Sequence, residues 1–250
     1  MALPKVLRDR LDPAGRYGLR VTLIAVAFVL VAVPFSYLLL QVLSQGPITR
    51  LDRGGAERFY DFAASRRWLV DVLKAISLLG KPLWLGIAIG IGALYAVTRG
   101  RVRLGLYLIV TAIGGGLVDT AVKILVNRPR PEIDDPLVHA FGKSFPSGHA
   151  MSSTVTYGAL LLVFLPVLPR RARVPAFATT AVLLLAIGFS RLLLGVHFIS
   201  DVVAGWILGL AWLSGATAAF SIWRKEEGKP PVHATEGLEP EAATDLKTVS

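Results

Sequence analysis

Three short stretches of this sequence hold polar residues whose types and spacing suit chemistry on a phosphate group. Lys123-Ile-Leu-Val-Asn-Arg-Pro-Arg130-Pro131 is the first, Pro146-Ser147-Gly148-His149 the second, and Ser190-Arg191 followed by His197 and Asp201 the third. Lys123, Arg130 and Arg191 supply cations without a local excess of carboxylates, which suits a tetrahedral oxyanion. Ser147 and Gly148 precede a helical run, so their backbone N–H groups and the helix dipole converge on one place. His197 and Asp201 are four apart; in helical register the carboxylate holds one imidazole nitrogen protonated while the other attacks. His149 is a second imidazole, suited to protonate a leaving oxygen. The set describes phosphoryl transfer through a phosphohistidine, with protein cations in the role often given to Mg²⁺. This chemistry needs no metal and no cofactor.

The elements that must position these groups are apolar. Hydrophobic residues make up 54% of the 250 residues and charged ones only 18%, where a soluble domain carries about a quarter. Mean hydropathy is +0.59. The sequence has no cysteine, which excludes disulfides, zinc–thiolate sites and thiol catalysis. A soluble enzyme, a secreted disulfide scaffold and a disordered chain are all disfavoured. Charge-free runs cover Val21–Thr49, Pro82–Thr98, Ala150–Pro169, Val174–Ser190 and Val202–Trp223, and Leu104–Val126 is interrupted only by Asp119 and Lys123. Each run, with a few flanking residues, matches the ~20 residues needed to cross a bilayer. The expectation is an all-α, polytopic membrane protein with six transmembrane helices. The first run is too long for the ~7–15-residue core of a signal peptide and reads as an anchor.

Arginine placement orients the bundle. Arg99, Arg101 and Arg103 lie in the loop after the second span, and Arg170, Arg171 and Arg173 in the loop after the fourth, with no acid in either. Lys5, Arg8, Arg10, Arg16 and Arg20 precede the first span, and Arg224 and Lys225 follow the last. The Gly46–Lys81 connection holds seven basic residues, diluted by Asp52, Glu57, Asp61 and Asp71. Both termini are therefore expected in the cytoplasm, and all three polar clusters at the outer face of the cell membrane. The domain plan is a cytoplasmic arm at 1–20, a membrane domain at 21–223 and a disordered tail at 224–250, rich in Pro, Glu, Ala and Thr.

The three clusters resemble the signature of the type 2 phosphatidic acid phosphatase, or PAP2, superfamily: Lys-x6-Arg-Pro, then Pro-Ser-Gly-His, then Ser-Arg-x5-His-x3-Asp. Lys123–Pro131, Pro146–His149 and Ser190–Asp201 match it without departure in spacing or residue type, and the resemblance runs over roughly Leu104 to Trp223. It implies His197 as nucleophile, Asp201 as its orienting partner and His149 as general acid. It implies Lys123, Arg130, Ser147, Gly148 and Arg191 as phosphate ligands, with Arg130 favoured over Arg128 by spacing. The expected activity is removal of the terminal phosphate from a lipid phosphate or diphosphate such as undecaprenyl diphosphate, phosphatidylglycerophosphate, phosphatidate or a lipid A phosphate. The partner is thus a lipid in the bilayer, with no nucleic acid involved. Two alternatives use the same cations: a lipid phosphotransferase, and a non-enzymatic transporter or binder of anionic lipids, which would leave both histidines unemployed.

Ordinary roles remain open for several other residues. Lys123 can snorkel at a helix end, and Asp119, one turn before it, can neutralise it or tune the site. Gly86-x-x-x-Gly90, Gly205-x-x-x-Gly209 and Gly114-Gly115-Gly116 are candidate points of close helix approach. Phe59, Tyr60, Phe62 and Trp68 with Arg58, Arg66 and Arg67 read as an interfacial helix, or as a loop with aromatic anchors. His139 and His233 read as surface residues.

Overall fold

The computed structural model describes residues 19–133, 135–230, 232 and 234–247. The N-terminal arm with Lys5, Arg8, Arg10 and Arg16, and also His233, lie outside the described residues. The described chain is helical and contains no strand, because backbone in an apolar run must satisfy its own hydrogen bonds. In order, the helices are α1 (Leu19–Leu43), α2 (Pro47–Ala64), α3 (Arg67–Leu78), α4 (Pro82–Thr98), α5 (Val102–Val126), α6 (Gly148–Phe164), α7 (Arg170–Leu193), α8 (Ile199–Glu226) and α9 (Ala243–Lys247). Four helices, α5 to α8, are long and apolar enough to cross a membrane. The number rises to six if the bent pairs α1–α2 and α3–α4 each count as one span.

Helix α6 sits at the centre, packed against α4, α5, α7 and α8. Within its most apolar stretch 56% of residues are buried, against 11–28% in the other three long helices. On α5, Leu106, Val110, Ile113 and Leu117 form an exposed stripe at helical spacing, the face a spanning helix turns to lipid. Gly205 and Gly209 bring α8 onto α6: a Cβ on them would lie 2.7 Å from the Ser147 carbonyl oxygen and 2.9 Å from that of Met151. Trp212 packs on Gly114 and Gly115, but Gly86 and Gly90 have nothing within 4 Å and make no such approach.

The first apolar run is not one helix to Thr49. It breaks at Ser44–Gly46, where Gln45 takes φ 53° and Pro47 opens α2. Helix α2 turns 81° away from α1, so if α1 crosses the bilayer α2 lies along its surface. Phe59, Tyr60 and Phe62 are therefore helical rather than on a loop, and Thr49, Asp52, Ala56 and Ala63 form the buried face of α2.

The tail also departs from expectation. Helix α8 continues past Trp223 to Glu226. The chain then folds back, burying Leu238, Ala242 and Leu246 in one cluster with Ala96, Leu104, Leu108 and Leu162. Leu238 N–H donates to the Leu162 carbonyl at 3.0 Å, and the Tyr95 hydroxyl donates to that of Leu246 at 2.6 Å. Glu239 and Asp245 pair with Arg101, and Glu241 with Arg224. Three apolar residues four apart and acids facing an arginine-rich helix end are enough to order a segment whose overall composition suggests disorder.

Candidate active site

Helix alternation brings the end of α5, the start of α6, the end of α7 and the start of α8 to the same end of the bundle, opposite Arg99–Arg103. Asn127, in the left-handed conformation with its N–H on the Lys123 carbonyl, ends α5 and releases the chain into the loop that carries Arg128 and Arg130. Lys123 Nζ lies 2.5 Å from Asp119 Oδ1 and donates to the Pro146 carbonyl at 2.8 Å, tying the Pro-Ser-Gly-His segment to α5. Gly148 packs closely here, since a Cβ would come within 3.1 Å of Asp119 Oδ2 and 3.2 Å of Lys123 Nζ and would press on both side chains.

His197 precedes α8 rather than lying on it, and Asp201 occupies the first turn. Their contact does not depend on helical register. Asp201 Oδ2 reaches back to accept the Phe198 N–H at 2.9 Å and meets His197 Nδ1 at 3.3 Å. This assigns the proton to Nδ1 and turns the Nε2 lone pair toward Arg130 Nη1, 3.1 Å away. Burial pushes the imidazole down to about 4, with the Arg130 and Arg191 charges adding to the fall and Asp201 opposing it. At neutral pH His197 is uncharged.

Arg130 is held by the carbonyls of Val196, Phe141, Gly142 and Lys143 at 2.8–3.3 Å. Arg191 Nη1 donates to Ser77 Oγ at 2.5 Å, while its Nε has no partner. His149 Nε2 and Ser147 Oγ are likewise buried without partners. Buried polar atoms are rarely left unpaired; His149 and Arg191 line the cleft, where a ligand's oxygens could reach their unpaired atoms, whereas Ser147 is fully buried and does not line it. One expectation needs correcting: the Ser147 N–H is used by the Asp201 carbonyl at 2.9 Å. Helix geometry leaves the N–H groups of Gly148 and His149 as the first-turn donors for an anion.

Lys123, Arg130, Gly148, His149, Arg191 and His197 line a single cleft of about 490 Å³. Arg128 does not. Its guanidinium is buried behind the His197–Asp201 pair, 2.6 Å from Asp201 Oδ1, 2.8 Å from Ser200 Oγ and 2.8 Å from Asp52 Oδ2. Asp52, on α2, also accepts the N–H and hydroxyl of Ser200. The sequence reading missed Asp52, Ser200 and Ser77, whose partners lie far away in the chain. It also missed Lys74 and Lys81, which line the cleft beside Asp119; His139 is exposed as expected, but on the cleft wall. The three-residue spacing of Lys74 and Ser77 on one face of α3, with Lys81 just before α4, was the available signal. Among the described residues no cluster of His, Asp and Glu is arranged to hold a metal ion.

A helical membrane bundle with a cationic cleft and two imidazoles defines a site for a phosphate ester at a membrane face. The PAP2 superfamily profile matches residues 104–225. Phosphatidylglycerophosphatase B of Bacillus subtilis is 33% identical over 147 residues, covering 57% of this chain and 71% of that protein. A lipid A 1-phosphatase of Rhizobium johnstonii is 36% identical over 124 residues, covering 46% and 47% respectively, so the chain spans about half of that relative's length. The crystal structure of a transmembrane PAP2-type phosphatidylglycerolphosphate phosphatase from Bacillus subtilis superposes with a TM-score of 0.69 at 26% identity, over 76% of this chain and 94% of that one. The chain belongs to the PAP2 superfamily and is a multi-pass membrane phosphatase of its metal-independent, lipid-directed class.

Proposed function

We propose that this enzyme removes the terminal phosphate of a lipid phosphate through a phosphohistidine on His197, with phosphatidylglycerophosphate as the first candidate substrate. The observation that carries the reading is the convergence, in one cleft, of a neutral His197 whose Nε2 is free of Asp201, three cations, and unpaired polar atoms on Arg191 and His149. His197 Nε2 attacks phosphorus, and the bond from phosphorus to the lipid oxygen breaks. His149 gives that oxygen a proton, the incoming phosphate dianion providing the counter-charge for a protonated imidazole. Water, deprotonated by His149, then cleaves the phosphorus–nitrogen bond and releases inorganic phosphate. Lys123, Arg130 and Arg191 hold the three non-bridging oxygens as charge grows on them. The candidate substrate follows from the names of the Bacillus subtilis relatives.

The cleft lies opposite the loops bearing Arg99–Arg103 and Arg170–Arg173, which favours both termini inside and catalysis at the outer leaflet. Phosphate release by detergent-solubilised protein, measured across phosphatidylglycerophosphate, phosphatidate, undecaprenyl diphosphate and lipid A, tests the activity. Rapid quench into alkaline detergent with substrate ³²P-labelled in its terminal phosphate should trap a protein-bound label in wild type that is stable to alkali and lost in acid, and none in His197→Ala; label in that variant refutes the intermediate. A cysteine at Asp135 should react with an impermeant reagent on intact cells, and labelling only after permeabilisation refutes the sidedness.

A further inference from the structure

The cleft contains more positive charge than one phosphoryl group requires. Its walls include Lys74, Lys81, Lys123, Arg130 and Arg191, against the single carboxylate of Asp119, which Lys123 already engages. Lys123, Arg130 and Arg191 are the cations of the reacting phosphate. Lys74 and Lys81 are left over: both are exposed, and neither ammonium group makes a hydrogen bond or ion pair among the described residues. They flank Ser77 along the chain, Lys74 on the same face of α3 and Lys81 at the start of α4, and Ser77 holds Arg191 at 2.5 Å, which ties this segment to the phosphate pocket. The backbone just before Lys81 abuts the catalytic candidate His149, since a Cβ on Gly80 would lie 2.9 Å from its Cδ2. The two free ammonium groups therefore stand beside the reacting centre on an element outside the three motifs. A volume of about 490 Å³ is that of a small-molecule site, ample for a second anionic group.

We propose that Lys74 and Lys81 form a second anion subsite, which holds a phosphate near the one being cleaved and selects lipids that carry two such groups. This rests on the phosphatase reading above and deepens it: the preferred substrate is a lipid bearing a second phosphate a few bonds from the scissile one, rather than a lipid with a lone monoester. A compact ammonium on a flexible stem suits such a point charge. The same chemistry could come from the headgroup of a neighbouring anionic lipid, so the test separates the two sources.

The Lys74→Gln/Lys81→Gln double variant and the Lys74→Arg/Lys81→Arg variant are compared with wild type in neutral-detergent micelles. The substrates are phosphatidylglycerophosphate, phosphatidate, and phosphatidate mixed with phosphatidylglycerol. In wild type, kcat/KM should favour phosphatidylglycerophosphate over phosphatidate. The Gln variant should lower that ratio by about 10–100-fold, mostly through KM, for the loss of two partly exposed charge-assisted contacts. The Arg variant, which keeps the charge, should retain most of it. An unchanged ratio in the Gln variant, or no preference in wild type, overturns the subsite. Equal losses on both substrates would assign the lysines to the reacting phosphate and also overturn it. Lysine-dependent stimulation of phosphatidate turnover by phosphatidylglycerol, up to the rate of the two-phosphate lipid, overturns the intramolecular source. Should wild type release no phosphate from any lipid while folded, the underlying phosphatase reading fails instead.

Discussion

Asp52 makes a sharp test of how the His197–Asp201 pair is held, because it lies on α2, outside all three motifs. One carboxylate oxygen of Asp201 serves His197 and the Phe198 N–H, and the other takes Arg128 at 2.6 Å. Arg128 is in turn clamped by Asp52 at 2.8 Å, and all three charged side chains are at least 93% buried. Asp52→Asn keeps the shape but loses the charge. Its amide would also set a donor against either the Ser200 N–H or Arg128, both donors themselves. Removing one member of a buried ion pair costs about 3–5 kcal/mol, which at roughly 2–4 °C per kcal/mol predicts a fall of roughly 6–20 °C in the melting temperature in detergent. Arg128, released on one side, would then compete harder with His197 for Asp201. The expected cost in kcat is roughly 10–100-fold, or about 1.4–2.8 kcal/mol. The decisive assay is a double-mutant cycle with Asp201→Asn on an activated aryl phosphate. Both changes act through Arg128, so their effects on kcat should be non-additive by about 1 kcal/mol or more. Additivity within about 0.5 kcal/mol, or a wild-type kcat in Asp52→Asn, refutes the clamp.

Four further outcomes are expected. An activated aryl phosphate, whose leaving group needs no proton, should partly rescue His149→Ala but not His197→Ala; equal rescue would mean that nucleophile and acid are exchanged. His197 is held down to about 4 against 6.5 for a free imidazole, so between those values the unfolded chain binds more protons: its contribution to stability is present above 6.5 and declines as pH falls toward 4. The nucleophile likewise loses its lone pair only near pH 4; Arg130→Gln, which removes a facing cation while Arg191, His149 and Asp201 remain, should move the acid limb of kcat/KM upward, and an unmoved limb counts against His197 as the titrating group. Leu246→Ala, at the buried contact of the C-terminal segment, should destabilise the bundle by about 2–5 kcal/mol, whereas Gly86→Ala, with open space around it, should not lower the melting temperature by more than a degree or two; an unaffected Leu246→Ala protein would mean that the segment is not docked.

What the sequence determined by itself was what neighbouring residues decide together. A charge-free run of some twenty residues partitions into lipid and must be helical, so the helical bundle and its alternation were legible, and with them the gathering of Lys123, Arg130, His149, Arg191 and His197 at one end. The four-residue spacing of His197 and Asp201 pointed to their contact, although the structure makes it by a carboxylate reaching back over the start of α8 rather than by two side chains on a helix face. Motif spacing favoured Arg130 over Arg128, but only the tertiary structure showed what Arg128 does instead. The two guanidinium groups have nearly the same local sequence, and what divides them is Asp52, 76 residues away from Arg128. The same holds for Gly86 against Gly205, for the Ser147 N–H taken by Asp201, and for the tail, whose acids found arginines across the chain. Helical periodicity and lipid partitioning are local and additive, so they can be read along the sequence. A buried ion pair or a close helix approach depends on distant segments closing to within a few ångströms, and packing of the whole bundle decides which of them meet.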